Sequence, residues 1–122
     1  MNIEDARRLC LSIPETEETQ PFGDDTVVFK VRGKIFAMLS FMPGYSNYIS
    51  LKCDPNYALQ LRDKHIGAID GAYHFNKNYW NMVDFTHYSI TEEFLFHLIS
   101  HSYNEVCKKM PKSLKQGLEL MD

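Results

Sequence analysis

Apolar residues near the start of the chain fall at Ile3, Ala6, Leu9, Cys10 and Ile13, the spacing of an amphipathic helix, and Pro14 ends the pattern. Asn2 is placed to cap that helix, and Glu4 and Asp5 put negative charge in its first turn, where the helix dipole favours it. From Thr26 the period shortens to two. Val27, Phe29 and Val31 alternate with Val28 and Lys30, and Arg32-Gly33 offers a two-residue turn into a second apolar run over 34–42. Both runs are rich in β-branched and aromatic residues, which predicts a β-hairpin. Pro43, Gly44, Ser46 and Asn47 mark a loop, and 48–52 reads as a third strand with Ile49 and Leu51 facing inward.

Asp54-Pro55 is a helix start, a capping carboxylate followed by proline at the first helical position. Tyr57, Ala58 and Leu61, with Leu59 beside them, supply the apolar side of that helix to about Lys64. A turn at Asp70-Gly71, a short irregular or single-turn piece through Asn76-Lys77-Asn78 and a strand over 80–85 follow. Thr91 caps the longest helix, with Glu92 and Glu93 in its first turn and Lys108 and Lys109 in its last. Its stripe is Phe94, Leu95, Leu98, Ile99, Ser102 and Val106. Pro111 stops it, and 112–120 adds one weak helix. This order predicts an α+β fold, an antiparallel β-sheet with helices packed on one face, in a single domain over 1–122.

The 122 residues suffice for one hydrophobic core, and 44% hydrophobic with 24% charged content is ordinary for a soluble globular protein. The longest apolar run, 35–42, is interrupted by Ser40 and too short to span a bilayer. Acids at Glu4 and Asp5 before any apolar stretch do not read as a secretory signal, so a cytoplasmic protein is expected. Cys10, Cys53 and Cys107 form no C-x-x-C pair, and their odd number argues against a disulfide framework; Cys10 and Cys107, within helical apolar patterns, are expected to be buried structural thiols. The net charge of −3 counts against generic nucleic-acid binding, but it is unevenly spread. Residues 1–25 hold seven acids and two arginines, whereas 26–122 hold eleven bases and nine acids. A polyanion site would therefore be local and distant from Glu15, Glu17, Glu18, Asp24 and Asp25.

The segment His74-Phe75-Asn76-Lys77-Asn78-Tyr79-Trp80-Asn81 gathers the only Trp, a Lys, three Asn and a His, with no acid among them. Side chains of this kind stack on flat rings and bond to phosphates or base edges. Lys30 and Lys52 alternate with core positions on their strands and so point to the face opposite the helices, with His74 and Lys77 nearby. Arg32 and Lys34 flank the hairpin tip. Four to six positive groups on one face suffice to position a duplex through its phosphates; solvent-facing lysines that discourage edge pairing account for the same pattern. Trp80 has two readings, a base-stacking ring or a semi-core residue. His97 and His101 share one helix face at a metal-ligand spacing, but no H-E-x-x-H motif or third ligand accompanies them. The acidic N-terminal group reads as a solvated edge. No phosphate-cradling glycine loop, nucleophile elbow or catalytic carboxylate pair is legible, and no cofactor is implied.

Several stretches together resemble the MmcQ/YjbR family of small bacterial proteins. They are Pro21-Phe22-Gly23; Val28-Phe29-Lys30-Val31 with Gly33-Lys34-Ile35-Phe36-Ala37; Ser50-Leu51-Lys52-Cys53-Asp54-Pro55; His74-Phe75-Asn76-Lys77 with Trp80-Asn81; and Leu98-Ile99-Ser100-His101-Ser102-Tyr103. The resemblance implies a CyaY-like (frataxin-like) α+β fold and DNA binding through a double-wing arrangement of β-elements. Carried over, it favours Lys30, Lys52, His74, Asn76, Lys77 and Trp80 as the DNA-binding surface, with Arg32 and Lys34 as wing-tip contacts.

The leading expectation is a non-enzymatic, sequence-tolerant DNA-binding module. The alternative is a small anionic-ligand or protein-interaction domain with a pocket around His74, Lys77 and Trp80. A third idea, cation binding by the N-terminal acids, has the least support.

Overall fold

The computed structural model describes residues 1–73 and 75–122. Asn2 caps α1 (Ile3–Leu11) through a reciprocal box: its side chain accepts the Asp5 N–H and the Asp5 carboxylate accepts the Asn2 N–H, both at 2.9 Å. Strands β1 (Thr16–Thr19), β2 (Thr26–Val31), β3 (Lys34–Ser40) and β4 (Tyr48–Lys52) follow, then α2 (Pro55–Lys64), β5 (Ile69–Gly71), β6 (Trp80–Asp84), α3 (Glu92–Lys108) and α4 (Lys112–Lys115). The six strands form one antiparallel sheet in the order β1-β2-β3-β4-β6-β5. The fold is α+β with its main helices on one face, as the periodicities predict.

Val27, Phe29, Val31, Ala37, Leu39, Ile49, Leu51 and Val83 point toward the helices and share one core with Leu9 of α1, Leu61 of α2 and Leu95, Ile99 and Tyr103 of α3. Phe36 and Tyr103 meet edge to face there, ring centroids 5.4 Å apart. At the tip of the β2–β3 hairpin, Arg32 (φ 48°) and Gly33 (φ 83°) are both left-handed, as a two-residue turn that matches strand twist requires.

Four local expectations change. The Thr16–Thr19 stretch, with no apolar residue to mark it, pairs with β2 as an edge strand. The acids around it are exposed at Glu15, Glu17, Asp24 and Asp25, but two are paired: Arg7 donates to Glu18 at 2.6 and 2.8 Å, and Arg32 donates to Glu15 at 2.9 and 3.1 Å. The last strand stops at Asp84, and the final helix shrinks to Lys112–Lys115.

The sheet face away from the helices is not an open basic surface either. Val28 is fully buried there and Met38 and Ser50 nearly so, and Phe22, Met42 and Phe75 of the connecting segments stand around Met38. The near-continuous apolar run of β3 is the sequence signal for this, because strands covered on both faces lose their alternation.

Candidate functional site

The ladder between β3 and β4 ends early. Phe29 of β2 pairs with Ala37 and Lys30 with Ile35, so Phe36 is an extra residue on β3, and the last β3–β4 pair is Ala37 with Leu51. The buried Ser102 of α3 fills the gap: its hydroxyl accepts the Lys52 N–H at 2.8 Å and donates to the Phe36 carbonyl at 2.5 Å. Beyond Ser102 the splayed strand ends and the end of α3 enclose a cleft of about 290 Å³, lined by Lys34, Ile35, Lys52, Val106, Lys109 and Met110.

Three lysines therefore line one concavity, with no acid among its described lining residues. Burial, and then the charge of Lys109, hold the Lys52 ammonium below the usual lysine range, against a smaller opposite pull from Glu105. Lys109 Nζ sits 4.9 Å from the Tyr79 ring centroid, and the Tyr79 carbonyl accepts the Cys53 N–H at 2.7 Å. Among the described residues, Lys34, Lys52 and Lys109 make no ion pair, whereas Arg7, Arg8 and Arg32 are all paired with carboxylates. These three unneutralised cations are gathered at one end of the sheet.

Of the residues singled out from sequence, Lys34 and Lys52 line this cleft, and Lys30 lies half-buried on β2 at the same end, opposite Glu17 and Ile35. Trp80 is the cross-strand partner of Lys52, half-buried, with one ring face stacked on Phe75 at 4.1 Å between centroids. Asn76 and Lys77 are exposed, and the Asn76 side chain accepts the Asn78 N–H at 3.0 Å. Arg32 is differently employed: besides Glu15 it donates to the carbonyls of Leu114 at 2.9 Å and Gln116 at 2.6 Å, clamping the hairpin tip to the C-terminal segment. His74 lies outside the described residues.

The sequence reading missed two contributors. Lys109 was legible only as a helix-terminal charge; nothing in its neighbourhood says that α3 ends beside Lys34 and Lys52. Arg62 of α2 anchors the segment leading into β6, its Nε donating to Asn81 Oδ1 at 2.7 Å and its Nη2 to the Lys77 and Trp80 carbonyls. Gly71 leaves room for this, since a Cβ there would come within 3.0 Å of Lys77 Cβ and 3.3 Å of Arg62 Cζ. His101 is a structural acceptor, taking the Asp54 N–H on Nε2 at 3.2 Å, and His97 Nε2 lies 3.3 Å from the Tyr57 hydroxyl. Among the described residues no three His, Cys, Asp or Glu side chains group as metal ligands. Burial raises the thiols of Cys10, Cys53 and Cys107, all free, and so leaves them poor nucleophiles. No helix is long and apolar enough to cross a membrane among the described residues.

A helix-backed antiparallel sheet with a lysine-lined cleft at its splayed end defines the kind of molecule, and its relatives give the family. The chain belongs to the YjbR family, whose model matches residues 11–105. It is similar to the Escherichia coli O157:H7 protein YbdF, described as uncharacterized, at 38% identity over 109 residues, covering 89% of this chain and 87% of that protein. The crystal structure of Deinococcus radiodurans protein DR2400, a DUF419 domain, superposes with a TM-score of 0.84 at 33% identity, over 99% of this chain and 90% of that one. A Pseudomonas syringae protein shares the fold, with a TM-score of 0.73 at 24% identity over 87% of this chain and 99% of that one.

Proposed function

We propose that this protein binds DNA without sequence selectivity, and without catalysing a reaction, through the basic end of its sheet. The observation that carries the reading is the cleft where Lys34, Lys52 and Lys109 converge with no acid in the lining. An ammonium that is partly desolvated and repelled by a neighbour, as Lys52 is by Lys109, gains most from a phosphate, which neutralises it and releases condensed counterions. Lys30 and the exposed Lys77 extend the surface along the sheet, and Asn76 and the free edge of Trp80 reach toward sugar or base. The β2–β3 hairpin and the segment between β5 and β6 act as the two wings that the family resemblance implies. The order of helix, antiparallel strands and helix supports placing the fold beside the CyaY-like ones. Arg32 is left out of the contact set because its donors are already used.

The concavity of the cleft favours a second reading, a small anionic ligand held by the same three lysines. Salt separates the two. Anisotropy of a labelled duplex from about 20 to 200 mM salt should show affinity falling steeply, with a slope reduced by roughly one unit for each of Lys52→Ala and Lys109→Ala. Absence of binding at the lowest salt overturns the DNA reading. Melting-temperature shifts with inorganic phosphate or a nucleotide, lost in the same variants, would then establish the small-ligand one.

A further inference from the structure

On the face of the sheet away from the helices lies a second cavity, of about 270 Å³, lined by Phe22, Thr26, Met38, Ser40, Met42 and Phe75. We propose that it is a binding site for a small, neutral, largely apolar molecule that carries one hydrogen-bond acceptor.

Its walls come from three separate connections, and its floor is β3, where Met38 and Ser40 are only 6% and 5% exposed. A recessed floor of this kind suits a small molecule better than the flat surface of a protein. The volume lies just below the usual range for ligand pockets, room for on the order of ten non-hydrogen atoms. Two thioethers and two aromatic rings form an apolar, adaptable lining, and Phe22 and Met42 stand at the rim, 65% and 40% exposed. The polar requirement comes from Ser40. Its oxygen accepts the Met42 N–H at 3.1 Å, and its proton has no acceptor among the described residues, so it is free to donate to an occupant. The Thr26 hydroxyl lies in the same wall. Among the described residues no lining side chain is charged, and Asp24 and Asp25 follow Phe22 in its loop, which disfavours an anion. This site is thus chemically opposite to the lysine cleft and does not depend on the DNA reading.

The protein supplies its own reporter. Trp80, the chain's only tryptophan, stacks on the Phe75 ring that walls the cavity, with 16° between planes. Titration with cyclohexanone, which presents one carbonyl acceptor on an apolar ring, should change Trp80 emission saturably. The Met38 and Met42 methyl resonances should shift with the same midpoint, while Met1 and Met121 stay put. Ser40→Ala should weaken cyclohexanone by roughly fivefold, the worth of one hydrogen bond, and leave methylcyclohexane unchanged. Met38→Phe, filling the cavity, should abolish the response while the far-ultraviolet dichroism is retained. Linear, unsaturable changes, or an undiminished response in Met38→Phe, overturn the proposal. So do methyl shifts that track protein concentration alone, because a second copy of the chain would then be the occupant.

Discussion

The two faces of the sheet are built from similar side chains and are filled differently. Toward the helices, Phe29, Phe36, Leu39, Ile49 and Val83 interlock with α1, α2 and α3, and the large side chains there are fully buried. On the other face, Val28 and Met38 are also buried, but connecting segments wall a cavity over Met38 and carry exposed apolar side chains at Phe22, Phe41 and Met42. Helices present a regular row of side chains to a sheet, whereas loops must first satisfy their own backbone groups and pack where geometry allows. Stability is therefore concentrated on one face, and room for ligands remains on the other and at the splayed end.

The sharpest way to break this comparison is to truncate one aromatic ring on each face. Phe36→Ala should lower the free energy of unfolding in urea by about 3–5 kcal/mol, because the void sits among side chains that cannot collapse into it. Phe75→Ala, beside an existing cavity, should cost only about 1–2 kcal/mol. Equal losses would mean that both faces are packed as cores.

Ser102→Ala should come next. It removes one hydroxyl but strands two buried backbone groups, the Lys52 N–H and the Phe36 carbonyl, for a loss of about 1–3 kcal/mol. Faster hydrogen exchange at the Lys52 amide, with the Leu51 amide unchanged, would locate the damage at the splayed end.

The smallest effect expected is on pH. His101 accepts the Asp54 N–H on Nε2 and is held below its ordinary value of 6.5, chiefly by burial, while Glu105 pulls the other way. A depressed pKa means that the folded state binds the proton less well than the unfolded chain. The contribution of His101 is therefore complete above pH 6.5 and is lost as pH falls through its lower folded value. Melting temperature should drop between about pH 7.5 and 5, and His101→Gln, which keeps an acceptor without titrating, should flatten that part of the profile. An unchanged profile would remove His101 from the account of α2 capping.

The candidate site was partly legible before the fold was known. Lys34 stands out as a base flanking the hairpin tip, and Lys30 and Lys52 as bases alternating with core positions on their strands. Lys34 and Lys52 line the cleft, Lys30 lies at the same end of the sheet without lining it, and Lys77 is exposed in the segment before β6. Lys109 and Arg62 carry no such mark: one closes a helix and the other sits inside one, and only the packing of α2 and α3 on the sheet aims them. Arg32 illustrates the converse, a conspicuous hairpin-tip base whose donors are taken by Glu15 and by carbonyls more than eighty residues away.

Local chemistry, written in the sequence, determined the caps at Asn2, Asp54 and Thr91, the hairpin at Arg32-Gly33, the helical stripes and the inward face of β4. Each depends on residues within a few positions of one another, where propensity and periodicity act. Tertiary structure alone decided that Thr16–Thr19 becomes a strand, that Ser102 bridges a broken ladder, that three lysines share a cleft and that the far face is roofed over Met38. Those outcomes depend on pairs distant in the chain, whose meeting is set by the packing of whole elements.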